Sequence, residues 1–451
     1  MQTQRDRVNA YQFLIGRMVS ALVLGDSSRL EQPERRSGFG FLVGLGLAVL
    51  IAAGFGIYGL IVPGGNTAWQ QQGAILVEEE TGTRYVYLDG ELRPVLNHAS
   101  ALLVQGSGAH VEMIKRASLD GLRRGGPIGV AAGPQVVPTG ADLSAGPWLL
   151  CLPGFPAPDG RSLAMTMSID ITGDQDTFGG DRYLPVASPA GQQFVVWRNV
   201  KFPLADPTVP IALGLPTMPP RVAPDAWLNG LPTGPVIGAA EVPGAGEQGP
   251  AIGGSPTAVG ALFRHEVGAG QPDQFYVLRA DGLAPLTATE FALLGAKAQV
   301  APVRLGAQDI VAAPRSPDTS LMARLPDLLG TRAIDPGDGA FCLRQHAEGV
   351  AVKSELVVAH GADVNTEAAA KVRPAGGMLV AAVPVRAGAE KPDRFLIDDQ
   401  GRKFELVDDD SISALGLGGI PPVPVATEVL DQLPSGPALS RAAAGAPQRK
   451  G

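Results

Sequence analysis

The residues able to do chemistry are few in this chain of 451 residues. Its five histidines, His98, His110, His265, His346 and His360, are scattered, and each reads as a surface or structural residue. His265-Glu266 begins like the helix of a zinc protease, but the second histidine of that helix would fall at Ala269. Asp174, Asp176 and Asp181 offer oxygens that suit calcium without the spacing of a calcium loop, so a solvated acidic turn is expected. Asp408-Asp409-Asp410 reads as the cap region of a helix. A phosphate-cradling P-loop needs Gly-Lys before Ser or Thr, and the sequence contains no Gly-Lys pair. It also lacks the Gly-x-Ser-x-Gly turn that presents a nucleophilic serine. No catalytic residue, metal ligand or cofactor site is expected. Cys151 and Cys342 remain, and their chemistry depends on the compartment they occupy.

That compartment is set by a membrane segment. Gly38 to Val62 is an uncharged run closed by Pro63-Gly64-Gly65. As a helix it covers about 37 Å at 1.5 Å per residue, enough to cross a bilayer. Arg5, Arg7, Arg17, Arg29, Arg35 and Arg36 precede it, the last two flanking the membrane, and no Lys or Arg follows until Arg84. The positive-inside rule then puts the N-terminus in the cytoplasm and the large C-terminal region outside. Outside, two thiols can close one bridge, Cys151–Cys342; two free buried thiols are the alternative. The net charge of −8 argues against a nucleic-acid partner. With 45% hydrophobic but only 5% aromatic residues, the core must be built from Ala, Val and Leu.

Two further patterns concern partners. In the N-terminal segment, Tyr11, Leu14, Ile15, Met18 and Leu22 share one helical face, with Asn9 as an N-cap. So short a helix is marginal alone in water, so a protein partner is expected to cover that face. Outside, four segments repeat an order of features. They open at Arg84, Gln193, Gln274 and Arg394, each followed by an aromatic residue (Tyr85, Phe194, Phe275, Phe395), a short strand, a turn, a second strand and a Leu-rich helix. The turns are expected at Asp89-Gly90, Arg198-Asn199, Asp281-Gly282 and Gln400-Gly401. Leu231-Pro-Thr-Gly-Pro235 and Leu433-Pro-Ser-Gly-Pro437 extend the match between the second and fourth copies.

The expected class is α+β: a cytoplasmic helix, one transmembrane helix, and an elongated periplasmic region of four small hairpin-helix repeats around a disulfide-linked central domain. The expected boundaries are a cytoplasmic segment 1–37, a span 38–62, a first repeat 63–140 and a central part 141–190. A second repeat 191–235, a Gly/Pro-rich loop 236–256, a third repeat 257–303 and a second central part 304–384 follow. A fourth repeat 385–441 and a flexible tail 442–451 complete the chain.

The Tyr11-Gln12-Phe13-Leu14 helix, the single span, Tyr85-Val86-Tyr87, and Leu92-Arg93-Pro94-Val95-Leu96-Asn97 form a distinctive series. With two outer cysteines and Leu433-Pro-Ser-Gly-Pro-Ala-Leu-Ser-Arg441, it resembles the EccB family of type VII (ESX) secretion systems over nearly the whole chain. The tail after Arg441 and Leu343-Arg344-Gln345 after Cys342 depart from that family's pattern. The resemblance implies a single-pass subunit of an inner-membrane secretion complex, with EccC, EccD and EccE as partners and self-association through the periplasmic region. Family members are sometimes labelled ATPases, which no motif here supports. The competing readings are an enzyme, either an ATPase or a wall hydrolase, and a membrane-anchored cell-wall-binding module.

Overall fold

A computed structural model describes residues 4–25, 34–61, 67–152, 165–215, 219–268, 270–298, 301–361 and 369–448. The chain is mixed α+β and falls into two compact units, residues 1–67 with 114–120, and residues 68–113 with 121–451.

The first unit holds helix α1, Gln4–Leu24, and helix α2, Glu34–Ile61. Within α2, Gly38–Tyr58 is long and apolar enough to cross a membrane, and every residue of it is exposed. A helix pairs its own backbone groups, which hydrocarbon requires of a lone spanning segment. Arg35 and Arg36 lie in the first turn of α2, so the helix begins before the apolar run. Val62 and Pro63-Gly64-Gly65 lie outside the described residues.

The second unit is built on five sheets, four of which share one strand order. In the first sheet that order is Glu91–Pro94, Arg84–Leu88, Ala74–Glu78, His110–Ile114. In the second it is Val200–Pro203, Gln193–Trp197, Arg182–Ala187, Arg221–Val222, with Arg332–Ala333 also paired to Arg182–Ala187. The third runs Gly282–Leu286, Gln274–Arg279, Leu262–His265, Val303–Arg304. The fourth runs Lys403–Glu405, Arg394–Ile397, Met378–Val383, Val423–Ala426. Each hairpin therefore has a strand before it that the sequence pattern missed. Arg182–Ala187 and Met378–Val383, which the sequence places in the central parts, pair into the second and fourth sheets instead. These strands are apolar on both faces, so period-two alternation, the usual strand signal, is absent from them.

The hairpin turns follow four solutions. Asp89 and Gly90 both take positive φ, as a two-residue turn of the expected type requires. Arg198 and Asn199 do the same without glycine, at φ 47° and 62°. The Arg198 guanidinium lies 4.4 Å from the Trp197 ring centroid, and Asn199 Oδ1 accepts from the Leu356 amide at 2.8 Å. These tertiary contacts hold a conformation that costs non-glycine residues energy. In the third sheet the loop is Ala280-Asp281, with Gly282 already paired to Arg279. The fourth loop is longer, from Asp398 to Arg402, and its Asp398 carboxylate accepts from the amides of Gln400 and Arg402. Burial holds the Asp398 carboxyl above the ordinary aspartate range, against those bonds.

The outer edge of all four sheets is covered in one way. The second hairpin strand exchanges backbone bonds with a later segment, through parallel bridges Leu92↔Arg124, Lys201↔Thr233, Leu283↔Arg315 and Lys403↔Ser435. An unpaired edge would expose its amides and carbonyls to other chains. This gives the Leu-Pro-x-Gly-Pro stretches their physical meaning. Gly234 and Gly436 lie against the rings of Phe202 and Phe404, where a Cβ would collide. At the equivalent place the third sheet has Ser316, whose amide donates to the Leu283 carbonyl at 3.0 Å.

The fifth, central sheet runs Ala370–Lys371, Thr166–Ser168, Trp148–Cys151, Ala340–Glu348, Ala351–Ala359, Gln175–Thr177. Its main core joins Trp148, Leu150 and Leu343 to Val186 and Trp227 of the second sheet region and Val380 and Val425 of the fourth. Trp148 and Trp227 are fully buried. Each Trp contributes about 4–6 kcal/mol at roughly 25 cal/mol per Å² of apolar surface. Both indole N–H groups are paired, Trp148 to Gln345 Oε1 and Trp227 to the Leu150 carbonyl, each at 3.0 Å. The other two sheets attach to these in matching fashion. Ala99 and Leu103 pack with Leu379, Phe404 and Leu439, joining first to fourth. Phe202 and Leu213 pack with Leu293 and Leu328, joining second to third.

Two expectations about irregular segments need correction. The Gly/Pro-rich stretch 236–256 is not a simple surface loop, because Ile252 packs with Phe263, Leu278 and Leu283 of the third sheet. Residues 442–448 do not fray. Arg441–Gly445 is a helix with Ala444 fully buried, and Pro447 bridges to Ile128 of the first sheet region. Small residues pass as tail by composition, yet alanine fits closely between packed elements. Residues 449–451 lie outside the described ones.

Candidate functional site

The cysteines form a disulfide from the centre of one sheet. Cys151 and Cys342 stand directly opposite on antiparallel strands, and the bond joins residues 191 apart in sequence. Both are buried among Leu149, Ala340, Val357 and Ala359. The recess beside them, lined by Thr166, Asp170, His360 and Lys371 among others, has a volume of about 20 Å³. That is room for a single water molecule and for no substrate.

The histidines stay apart in the fold. Burial, and then Arg84, lowers the pKa of His98. His265 Nδ1 is 2.9 Å from the Leu305 carbonyl. His360 alone meets acids, Asp176 at 2.8 Å and Asp338 at 3.3 Å. Asp176 is thereby placed apart from a calcium role with Asp174, whose carbonyl accepts from the His360 amide. Among the described residues no group of three His, Cys, Asp or Glu side chains is placed to hold a metal. Asp408 caps the helix Asp409–Ala414, its carboxylate accepting from the Ser411 amide at 2.6 Å, as its sequence position suggests.

Among the described residues Glu78, Lys201, Glu290, Asp398 and Lys403 are buried, and none was foreseen, because burial of a charge leaves no sequence signal. Glu290 is fully buried and takes Arg324 in a two-pronged pair at 2.6 and 2.8 Å, while Arg324 also donates to the Gly238 carbonyl. Lys201 is buried with its Nζ 2.7 Å from the Leu228 carbonyl and 3.2 Å from Asn229 Oδ1, and burial lowers its pKa. Both sets are closed hydrogen-bond networks that hold structure. A larger groove of about 420 Å³ is lined by Asn229, Gln345, Val352, Ser354 and Val385 with their neighbours. Its lining contains no ionisable side chain, so it offers neither acid-base groups nor cations for a triphosphate.

What the fold leaves open is apolar surface on α1. Tyr11, Leu14, Met18 and Leu22 are 68%, 61%, 61% and 85% exposed, and Ile15 is exposed as well. Val8 and Val19, also exposed, widen the stripe, while Phe13 lies on the other side. Arg35 and Arg36 stand at the opposite end of the first unit's linker, at the start of α2.

A profile of the family described as "Type VII secretion system ESX-1, transport TM domain B" matches residues 1–448. The chain is 28% identical over 478 residues to the ESX-3 secretion system ATPase EccB3 of Mycolicibacterium smegmatis (strain ATCC 700084 / mc(2)155), covering 97% of this chain and 89% of the relative. It is 26% identical over 464 residues to the ESX-1 secretion system ATPase EccB1 of Mycolicibacterium smegmatis (strain MKD8), covering 98% and 94%. Among solved structures, the EccB3 dimer from the ESX-3 core complex superposes with a TM-score of 0.62 at 26% identity, over 82% of this chain and 99% of that one. A chain of the intact ESX-5 inner membrane complex shares the fold, with a TM-score of 0.64 at 23% identity over 100% and 96%. With the family profile matching residues 1–448 and the fold shared with a solved EccB3 chain, the chain belongs to the EccB family of type VII secretion systems.

Proposed function

We propose that this chain is a structural subunit of an inner-membrane type VII secretion complex. Its N-terminus lies in the cytoplasm, α2 crosses the membrane once, and the five sheets lie in the periplasm. The four recurrent sheets act as repeat domains around the disulfide-linked centre, and copies associate there, as the dimer formed by the EccB3 relative supports. EccC, EccD and EccE-type subunits are the membrane partners. The observation that carries this reading is α1, whose apolar stripe is exposed directly before a membrane helix. Covering it supplies several kcal/mol, at about 25 cal/mol per Å² of apolar surface.

The relatives' names carry a second reading, ATP hydrolysis. The sequence has no Gly-Lys pair, and the groove beside Asn229 and Gln345 has no cation in its lining. We therefore favour assembly over catalysis. Leu14→Asp with Met18→Asp places two charges on the α1 stripe. The double variant is expected to be lost from the complex purified through another subunit, and secretion to stop, while the Cys151–Cys342 bond still forms. Normal co-purification and secretion would refute docking through α1. ATP hydrolysis that persists in the purified chain without partners would support the second reading.

A further inference from the structure

We propose that the hairpin arm of the central sheet pairs edge to edge with the same arm of a second copy, residues 350–354 running antiparallel with Val352 opposite Val352. The inference deepens, and rests on, the reading above that copies associate through the periplasmic region.

The arm outruns its sheet on both sides. Ala340–Glu348 and Ala351–Ala359 pair along their whole length, but Trp148–Cys151 reaches only as far as Gln345, and Gln175–Thr177 covers only residues 357–359. Among the described residues 346–353 is therefore a bare two-stranded ribbon, which is marginal in water by itself. The outward groups of its edge are fixed by their neighbours. The Leu356 amide donates to Asn199 Oδ1 at 2.8 Å and the His360 amide to the Asp174 carbonyl, so even-numbered residues turn N–H and C=O away from the hairpin partner. Among the described residues no strand takes up the outward groups of Val350, Val352 and Ser354. The same three residues line the groove of about 420 Å³, together with Val383, Pro384 and Val385, and Val350 is 86% exposed. A bare edge is a template for another strand, and a groove beside it receives that strand's alternate side chains.

Charge complementarity points to a second copy as the occupant. A two-fold axis at Val352 sets Val350 of each copy against Ser354 of the other, and every such pair exchanges both backbone bonds. Val350 of each copy then enters the other's uncharged groove over Ser354, whose Oγ accepts from Gln345 Nε2 at 2.9 Å. On the opposite face Lys353 meets the small Ala351 of the other copy, and that copy's Glu348, the hairpin partner of Ala351, lies one strand beyond. A lysine ordinarily guards a bare edge, but Glu348 lies 3.5 Å from Lys353 Nζ and answers its charge. Neighbouring registers are worse. An axis at Lys353 sets two ammonium groups directly opposite. An axis at Ser354 needs the Leu356 amide, which Asn199 already holds. An axis at Ala351 leaves Ser354 unmatched. So short a pairing falls well below the roughly 1,600 Å² that holds free proteins together, so it forms between copies that the membrane and the complex already bring close.

The test uses the full chain in its own membranes, with two differently tagged copies coexpressed and the native cysteines joined to each other. Ala351→Cys in one copy and Lys353→Cys in the other, both exposed positions, are expected to cross-link under mild oxidation several-fold more than either variant with itself. The register sets those two positions directly opposite and like positions on a diagonal, beyond easy disulfide reach. Val352→Pro removes an outward amide but no bond within the hairpin, and is expected to abolish the cross-link while Cys151–Cys342 still forms. The cysteine pairs keep Val352, so their readout stands even where the proline variant misfolds. Equal cross-linking in all pairings, or a cross-link that survives Val352→Pro, overturns the proposal. So does its absence while one tag still pulls down the other, which leaves association of copies standing by another surface. A cross-link from either cysteine to a different subunit overturns it too, because another chain would then occupy the edge. Failure of one tag to recover the other would instead show that the association reading had failed, and the proposal with it.

Discussion

At Gly436 the backbone lies against the Phe404 ring, and at Gly234 against Phe202. A methyl group in either place must push an aromatic ring aside in a packed core. Gly436→Ala is expected to cost about 1–3 kcal/mol, the usual price of overpacking. The same change is expected to cost less beside Phe404→Leu, because the shorter side chain yields the space. Urea midpoints of the four chains check this, and equal costs in both backgrounds would refute it. His360 offers a pH-dependent counterpart. Both its ring nitrogens face carboxylate oxygens, and only the imidazolium has two donors. The bond to Asp176, offset in part by desolvation and reinforced by Asp338, raises its pKa above 6.5. A raised folded pKa gives stability that is full below 6.5 and lost as the pH climbs through the folded value. An NMR titration is expected to place the His360 midpoint above 6.5. The stability gap between wild type and His360→Gln is expected to shrink as the pH rises through that midpoint; a constant gap would show that the charge is not what matters.

Among the elements, the C-terminal helix Arg441–Gly445 does more than its length suggests. Arg441 Nε donates to the Leu103 carbonyl at 3.1 Å, Gln448 Nε2 donates to the Gly129 carbonyl, and Ala444 fills the core shared by the first and fourth sheets. Arg402 adds a bond of 2.9 Å to the Ala132 carbonyl, so several weak ties hold one sheet to the other. Ending the chain after Ser440 is expected to raise hydrogen exchange across Ala74–Glu78 and His98–Gln105. Exchange around Trp148 and Trp227 should stay unchanged, since that core lies in the central sheet. Uniform loosening of both regions would show that the helix supports the whole unit rather than one joint. The disulfide works at the same scale. It closes a loop across strands that already pair, and for a separation of 191 residues the loop-entropy model gives an upper value of about 5 kcal/mol.

For the whole molecule the first question is which side of the membrane each unit faces. The proposed topology predicts that a cysteine at position 30 stays hidden from an impermeant thiol reagent in intact cells, while one at position 90 is labelled. Equal labelling would overturn the proposed orientation. The membrane segment, the apolar stripe of α1 and the single pair of cysteines were legible in the sequence because each depends on composition or local periodicity alone. The hairpins and the Asp408 cap were legible too, since a turn or a cap is settled by a few neighbouring residues. The strands before each hairpin were not, because burial on both faces removes the alternation that marks a strand. Nor could the chain order reveal that later segments cover every outer sheet edge, that Glu290 would be buried with Arg324, or that residues 442–448 would tie the first sheet to the fourth. Those features come from residues far apart in sequence meeting in space, and only the packing of the sheets on one another decides which of them meet.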